Sequence, residues 1–276
     1  MDYGEKMENV NKMTPAFAVK NLSFTYKKGR KLLENIDFSI RPGDILTILG
    51  PNGVGKTTLL NCMLNNIRYH GGIYLFGRDL KTYGSKEYSA NVAYVPQLSR
   101  LNFEYSVEDF VLMGVNPQKK YFEQPNSCDY AIARQSLKTL GIHHLAEQLM
   151  SEISGGERQL AYIARALTQK PKIIIMDEPT SALDYRNQYK VIQILKELNK
   201  EGYTVILTSH NPDYAFMLGG YVGMIYREQP FQFGSVTELM TDKNLSCLYG
   251  TEIKVATLTE YNTKVCVRVD ARGEQQ

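Results

Sequence analysis

The stretch Gly50-Pro-Asn-Gly-Val-Gly-Lys-Thr-Thr58 decides the fold of this chain. It matches the pattern G-x-x-x-x-G-K-[ST], in which glycines let backbone N–H groups point inward around a phosphate. The apolar run from Asp44 to Leu49 predicts a buried strand before the loop, and residues Lys56 to Asn65 predict a helix after it. Because the start of a helix adds its positive end to such a loop, this arrangement predicts a phosphate-binding site.

The fixed polar residues of the loop and of a second strand predict a metal-assisted reaction at that phosphate. Lys56 is expected to pair with the β- and γ-phosphates, and the hydroxyl of Thr57 is expected to ligate Mg²⁺. The aliphatic stretch KIIIMD ends in Asp177, which is expected to reach the metal mostly through water. Glu178 follows directly, where it could polarise the water that attacks the γ-phosphate.

The remaining chain reads as an α/β protein. Residues 16 to 49 are rich in β-forming side chains that alternate imperfectly, with a hairpin turn predicted at Lys27 to Arg30. Helical and strand-like stretches alternate after residue 153, which predicts a parallel sheet covered on both faces. Residues 98 to 153 predict a helical insertion, which contains an exposed loop at Asn116 to Asn126, and the tail from 221 to 269 predicts strands with one short helix near Val236 to Met240.

Composition narrows the class of protein. A length of 276 residues predicts one or two domains, and 43% hydrophobic with 22% charged residues excludes wholesale disorder. The formal net charge of +3 gives no electrostatic reason to expect a nucleic acid partner. The apolar runs are far shorter than the roughly 20 residues of a membrane-spanning helix, and the four cysteines form no cluster that would indicate a disulfide framework or a zinc site.

A further motif, Ile153-Ser-Gly-Gly-Glu-Arg-Gln159, allows a family to be recognised. Ser154 and Glu157 have the spacing of a helix N-cap and its capping box, and the two intervening glycines would let a second phosphate approach the helix start. Together with Tyr26, the phosphate loop, Gln97, IIIMDEPTSALD and His210, this motif resembles the nucleotide-binding subunits of ABC transporters. The resemblance implies an α/β fold, a P-loop NTPase (RecA-like) core with a β-rich N-terminal subdomain and an inserted helical subdomain.

The same resemblance implies an active ATPase with ATP and Mg²⁺ as cofactors. Tyr26 stands where an aromatic ring stacks on adenine, Gln97 where a glutamine joins the metal and water shell, and His210 where a histidine contacts the γ-phosphate and orients Glu178. The nucleotide-binding residues are expected to be Tyr26, Gly50, Asn52, Gly53, Gly55, Lys56, Thr57, Thr58, Ser154, Gly155, Gly156, Glu157 and Asp184. The metal ligands are expected to be Thr57, Gln97 and Asp177, and the catalytic residues Glu178, His210, Lys56 and Gln97.

The family pattern also implies partners and a location. Ser154, Gly155 and Gly156 would contact ATP held by a second copy of the chain, and Asp184 would link the two sites, so the resemblance implies a homodimer with ATP between the subunits. The ATPase would serve a polytopic membrane permease and, indirectly, a substrate-binding protein, at the cytoplasmic face of the cell membrane. The expected organisation is a polar tail over 1–15, an ABC ATPase domain over 16–250 with its helical subdomain at about 98–153, and a C-terminal appendage over 251–276.

The cargo is less determined. The segments from Val95 to Gly114 and from Asn244 to Val255 are similar to those in ATPases of iron–siderophore, haem and cobalamin importers. An importer or exporter of another small solute, such as a metal or an oxyanion, stays open. A soluble ABC ATPase acting on DNA or the ribosome is a further alternative, although the chain has neither a coiled-coil insertion nor a second copy of the motifs. A module with a dead site is opposed by the intact Lys56, Asp177, Glu178 and His210.

Overall fold

The computed structural model describes residues 14–26, 29, 31–97, 104–115, 124–261 and 263–269. Within these residues the chain forms two compact units, one from Met1–Lys81 with Leu207–Gln276 and one from Thr82–Ile206. Most of the polar tail, three residues of the predicted hairpin turn and most of the loop at Asn116 to Asn126 lie outside the described residues. No helix in the described part of the chain is long and apolar enough to cross a membrane.

An antiparallel sheet opens the first unit. Its strands are β1 (Phe17–Thr25), β2 (Lys31–Ile40), β4 (His70–Leu75) and β5 (Arg78–Asp79), in the order β2-β1-β4-β5. The imperfect alternation in the sequence has a physical cause, because Asn21 and Asn35 both adopt left-handed backbone with φ of 49°. The pairing of β1 with β2 shifts between Val19 and Leu22, and such a bulge moves the following side chains to the other face.

The strand that precedes the phosphate loop is buried within the first unit. β3 (Ile45–Leu49) is wholly buried and pairs in parallel with β9 (Tyr221–Met224), which pairs antiparallel with β10 (Gln232–Ser235). The helix α1 (Lys56–Met63) begins directly after the loop, somewhat shorter than the predicted Lys56 to Asn65. Burial of both faces of β3 explains why its sequence is an unbroken apolar run.

The second unit carries the helical insertion and two parallel strands. β6 (Val92–Val95) pairs in parallel with β7 (Ile173–Met176), and β8 (Thr204–Ser209) leads the chain from the second unit into the first. Its helices are α2 (Ser85–Asn91), α3 (Val107–Leu112), α4 (Ser127–Thr139), α5 (Gly155–Leu167) and α6 (Tyr185–Lys200). The predicted parallel pairing is therefore present, while α2 escaped prediction because none of its residues is buried.

Helix caps set the boundaries of the insertion. Ser106 accepts a hydrogen bond from the backbone N–H of Asp109 and thereby caps the start of α3, which ends at Leu112. Asn126 and Asp129 form a full capping box at the start of α4. The ring of Phe110 meets the ring of Tyr162 edge to face at 4.8 Å between centroids, which joins α3 to α5.

The tail of the first unit contains more helix than the sequence predicted. Besides α7 (Asp213–Leu218) and α8 (Val236–Leu239), it holds α9 (Asp242–Tyr249), which begins after Thr241 and ends at Gly250 in left-handed backbone. The prediction of one short helix in the tail was therefore wrong. The sequence did not reveal α9, because a helix of only two turns has too few apolar positions to show a helical period. Strands β11 (Ile253–Leu258) and β12 (Thr263–Arg268) then form an antiparallel hairpin.

Candidate functional site

The phosphate loop of the first unit is shaped by close backbone packing. A methyl group at Gly50 would lie 2.8 Å from the carbonyl oxygen of Ile225, so no larger residue can stand there without a shift of the main chain. Gly55 has a φ of 117° and caps α1 without any side-chain hydrogen bond to the helix start. The start of α1 therefore lacks a side-chain cap from Gly55, which suits a site where a phosphate meets the first N–H groups of a helix.

Lys56 lies inside this loop. Its side chain is buried, and its Nζ donates hydrogen bonds to the carbonyl oxygens of Gly50 at 2.8 Å and Pro51 at 3.3 Å. The loop thus holds a positive charge at its own centre, which adds to the positive end of α1. Asn52, Gly53 and Thr57 are exposed and Thr58 is half-buried, so the surrounding polar groups are accessible to a ligand.

Two more predicted residues belong to the first unit. Tyr26 leaves 49% of its surface exposed and meets Phe24 in a T-shaped contact at 5.0 Å between ring centroids, so about half of the side chain is accessible for stacking. His210 follows β8 directly and is exposed. Ser209 before it is buried, and the backbone N–H of Asn211 after it donates to the Ser209 hydroxyl at 2.9 Å.

The acidic pair of the second unit lies just beyond β7. Asp177 is only 2% exposed, and its backbone N–H donates to the carbonyl of Val95 on β6 at 2.9 Å. The pKa of Tyr94 is raised to about 12, mainly because the phenol is buried and also because the charge of Asp177 is nearby, so this phenol stays protonated at neutral pH. A buried acidic residue directly after an aliphatic strand is the position that the predicted metal ligand requires.

Glu178 stands in left-handed backbone with a φ of 43°, which is uncommon for a residue with a side chain. The backbone N–H and the hydroxyl of Ser181 both donate to the Glu178 carbonyl oxygen at 3.1 Å. The same hydroxyl accepts a hydrogen bond from Nε2 of Gln97 at 3.1 Å. The fold thus brings together Gln97 and Glu178 through Ser181, a residue that the sequence analysis did not select.

The start of α5 shows how the two signature glycines differ. A methyl group at Gly156 would meet the side-chain amide of Asn187, whose Cγ would be 2.4 Å away, whereas one at Gly155 would approach nothing closer than the Ala182 carbonyl at 3.8 Å. The structure thus gives Gly156 a packing reason to be small, because Asn187 fills the space, while the contact of both glycines with a phosphate stays a prediction.

Asn187 in turn connects this helix start to Asp184. The carboxylate of Asp184 accepts hydrogen bonds from the Asn187 backbone N–H at 2.8 Å and from its Nδ2 at 3.1 Å. Ser154 and Glu157 complete their capping box, since the Glu157 carboxylate accepts from the Ser154 hydroxyl at 2.7 Å and its N–H at 2.9 Å. These two hydrogen bonds lower the pKa of Glu157 and keep its carboxylate charged, and the bond from the Ser154 hydroxyl has the larger effect.

Comparison with known proteins identifies the family. A family model described as ABC transporter matches residues 33–181. The molybdate import ATP-binding protein MolC of Haemophilus influenzae is 38% identical over 86% of this chain and 89% of its own. An iron chelatin transport ATP-binding protein of Helicobacter pylori is 35% identical over 86% of this chain and 93% of its own. This chain belongs to the ABC transporter ATP-binding proteins.

This chain has the same fold as a solved structure of an inward-facing, metal-chelate type ABC transporter. That structure superposes with a TM-score of 0.83 at 35% identity, covering 93% of this chain and 98% of its own. The P-loop NTPase architecture, the ATP-binding function and the membership in a family of transport ATPases follow from these likenesses.

Within this ABC ATPase, Ser181 and Asn187 are the residues that sequence reasoning missed. Both lie inside or just after the DEPTSALD stretch, so their proximity to predicted site residues was a signal that could have found them. Neither has a chemical role that its residue type alone reveals. Their importance rests on partners that are close in space, namely Gln97 for Ser181 and Gly156 for Asn187.

We expect Ser181→Ala to lower the kcat of ATP hydrolysis by up to about thirtyfold, because it removes two side-chain hydrogen bonds at the left-handed backbone of Glu178 and each such bond contributes about 1 kcal/mol. The KM for ATP should change little, since the phosphate loop is untouched. Ser181→Thr retains the hydroxyl and should retain most activity, while the exposed Ser151→Ala is the matched control. Steady-state measurement of kcat and KM tests this prediction. An unchanged kcat in Ser181→Ala would show that the hydrogen bonds from Gln97 through Ser181 to Glu178 do not support hydrolysis.

Proposed function

We propose that this chain is the ATP-hydrolysing subunit of an importer for iron chelates, either siderophores or haem, or for cobalamin. The observation that carries the proposal is the likeness to the metal-chelate type transporter over 93% of this chain. The Helicobacter pylori relative named for iron chelatin transport supports the same cargo class.

The proposed nucleotide site uses ATP with Mg²⁺. Lys56 would neutralise the β- and γ-phosphates, the hydroxyl of Thr57 and the carboxylate of Asp177 would hold the metal, and Tyr26 would stack on adenine. These hard oxygen donors suit Mg²⁺, which commonly takes one or two protein ligands together with phosphate oxygens and water.

The proposed hydrolysis is a transfer of the γ-phosphoryl group to water. Bound Mg²⁺ would neutralise charge that develops on the phosphate oxygens. Glu178 would accept a proton from the attacking water, and His210 would contact the γ-phosphate and orient Glu178. Gln97 already directs its amide nitrogen to Ser181, so its Oε1 is the atom that would join the metal and water shell.

The proposed assembly is a homodimer in which each ATP also meets the helix start at Ser154, Gly155 and Gly156 of a second copy, and Asp184 links the two sites. The open space at Gly155 supports this, because the backbone N–H groups of a long helix start are accessible there. Tyr185 is 88% exposed and Tyr189 is 56% exposed, and both follow Asp184 on one face of α6. Exposed aromatic side chains next to Asp184 are suited to contact with a second subunit.

The proposed partners are a polytopic membrane permease and, through it, a substrate-binding protein, with the ATPase acting peripherally at the cytoplasmic face of the membrane. The helical insertion would bind a cytoplasmic loop of the permease. Closure of the dimer on ATP would then move the insertion together with that loop. The near-balanced charge of the chain supports a protein partner over a nucleic acid. The tail over 1–15, the ATPase domain over 16–250 and the appendage over 251–276 remain our proposed organisation.

A second cargo class is favoured by one specific likeness. The Haemophilus influenzae relative at 38% identity is named for molybdate import, so an importer of an oxyanion is the alternative. The ATPase itself would not touch the cargo in either case, which is why its residues alone do not separate the two classes.

Affinity purification from native membranes tests the proposed assembly. We expect tagged Glu178→Gln chain with ATP to retain a polytopic permease, because a slowed ATPase should hold the nucleotide-bound dimer closed. A Lys56→Ala chain is the matched control that lacks the phosphate-binding ammonium and should not show the ATP-dependent closed dimer. Recovery of ribosomes or DNA in place of a permease would overturn the transport assignment.

Reconstitution of that complex in liposomes with its binding protein tests the cargo. We expect ATP hydrolysis to rise when the binding protein is loaded with a ferric siderophore, haem or cobalamin. Stimulation by molybdate alone would replace the first cargo class with the second.

A further inference from the structure

The C-terminal hairpin is held on both outer edges by aspartate carboxylates. Val255 on β11 and Cys266 on β12 face each other in the pairing register. The backbone N–H of Val255 donates to Oδ1 of Asp242 at 2.8 Å, and that of Cys266 donates to Oδ1 of Asp213 at 2.8 Å. The two N–H groups point away from the hairpin, so each aspartate satisfies a donor that the strand pairing leaves over.

The two aspartates lie in different surroundings. Asp242 begins α9, whereas Asp213 begins α7, which starts only three residues after His210. Through Asp213 the hairpin is therefore attached to the segment that contains His210. Through Asp242 it is attached to α9, which is remote from His210 in the sequence.

A series of local hydrogen bonds connects Asp213 to Ser209, the residue before His210. The backbone N–H of Asp213 donates to Oδ1 of Asn211 at 3.0 Å. The Ser209 hydroxyl accepts from the Asn211 N–H at 2.9 Å and donates to the Asn211 carbonyl oxygen at 3.1 Å. His210 thus stands within a turn whose flanking residues are hydrogen-bonded to each other, and the far end of that turn is bonded to β12.

Apolar packing reinforces this attachment. Ala215 of α7 is fully buried in a cluster that also contains Ile253, and Phe216, Val255 and Cys266 pack against the same cluster. Burial first, and then the charge and hydrogen bond of Asp213, raises the pKa of the Cys266 thiol to about 12, so the thiol stays neutral. The Asp213 contact is therefore partly shielded from water, where a charge-assisted hydrogen bond is strong.

We propose that Asp213 is a positioning residue that ties the C-terminal hairpin to the turn containing His210, so that the hairpin sets the orientation of this histidine during ATP hydrolysis. The proposal rests on the role of His210 proposed above. Only Asn211 and Pro212 separate the histidine from the tethered residue, so a small rotation at the start of α7 is transmitted to the imidazole. Displacements of about 1 Å can cost up to a hundredfold in rate when they disturb reacting groups.

The first test compares full-length chains altered at the two aspartates. We expect Asp213→Ala to lower kcat at least about fivefold with a KM for ATP within about twofold, because binding depends on the phosphate loop. Asp213→Asn keeps a carbonyl acceptor for the Cys266 N–H and should restore most of kcat. Asp242→Ala releases the other edge of the hairpin and should keep kcat within about twofold of the parent.

The second test removes the backbone donors and leaves both aspartates in place. Proline at an outward-facing N–H of a hairpin deletes no strand-pairing hydrogen bond. We expect Cys266→Pro to lower kcat as Asp213→Ala does, while its cross-strand counterpart Val255→Pro does not. Cys266→Ala keeps the N–H and should behave as the parent, which separates the backbone contact from the thiol. Thermal unfolding of each variant shows whether a loss of kcat merely follows a loss of folded protein.

His210→Ala separates failure of this inference from failure of the proposed site. If His210→Ala abolishes hydrolysis while Asp213→Ala and Cys266→Pro retain normal kcat, the positioning role is wrong and the site assignment stands. If His210→Ala itself turns over normally, the role of His210 is wrong and the inference falls with it. Equal loss of kcat in the Asp213 and Asp242 variants would also overturn the inference, because general loosening of the hairpin would then explain both.

Discussion

Glu178→Gln should bind ATP with nearly unchanged affinity and hydrolyse it at least about a hundredfold more slowly. A positioned general base contributes on the order of 10² to 10⁴ in rate, and the amide of glutamine cannot accept the proton of the attacking water. Glutamine has nearly the same size and the same backbone preferences as glutamate, so the left-handed φ of 43° and the hydrogen bonds from Ser181 to the Glu178 carbonyl should persist. The affinity should persist because the phosphate loop is intact.

Measurement of kcat together with the dissociation constant for a fluorescent ATP analogue checks this expectation. The matched control is Glu197→Gln, which removes an exposed carboxylate from α6 that pairs with the exposed Lys200. That control should leave kcat unchanged, because exposed ion pairs contribute little. Normal turnover by Glu178→Gln would remove Glu178 from the role of general base.

Gly114→Ala should destabilise the folded chain by more than about 3 kcal/mol, a large value for a single methyl group. The new Cβ would lie 2.0 Å from the backbone carbonyl oxygen of Arg165 and 2.1 Å from Oγ1 of Thr168. Because the Arg165 carbonyl belongs to the backbone of α5, the strain cannot be relieved by a side-chain rotation. The helix α3 would have to move away from α5, with loss of the contact between Phe110 and Tyr162.

The urea midpoint of unfolding and the yield of soluble chain measure this effect. Gly84→Ala is the matched control in the same unit, since a methyl group there would meet nothing within 4 Å and the residue has an ordinary extended backbone with φ of −72°. The control should unfold at the parent midpoint. A Gly114→Ala chain that does the same would show that α3 and α5 are not in close contact in solution.

Local patterns predicted most of the elements and the chemistry of the nucleotide site. The capping residue Ser106 and the box of Ser154 with Glu157 act over three positions, so their hydrogen bonds could be anticipated from spacing. The buried strands β3 and β7 were evident from their unbroken aliphatic runs. Short or exposed elements such as α2 and α9 were missed because they carry too little apolar periodicity to be distinguished from loops.

The glycines show where pattern reasoning stopped. In the sequence, Gly114 is only the last residue of a segment similar to a group of importers, and Gly156 is one of two glycines that would let a phosphate approach. In the fold, Gly114 is small because α5 passes against it, and Gly156 is small because Asn187 lies above it. The sequence shows that a position is occupied by glycine. It does not show which neighbour leaves no room for a side chain, because that neighbour is distant along the chain.

By itself, the sequence determined that this protein has a phosphate loop, a buried acidic strand end, a signature helix start and a histidine after a strand, and these identify an ABC ATPase. Only the tertiary structure decided which residues support them: Ser181 between Gln97 and Glu178, Asn187 between Asp184 and Gly156, and Asp213 between the His210 turn and the C-terminal hairpin. The reason is physical. Spacing reveals contacts within one turn of a helix or one strand, whereas Gln97 lies 84 residues from Ser181 and Cys266 lies 53 residues from Asp213, and only folding brings them within hydrogen-bonding distance.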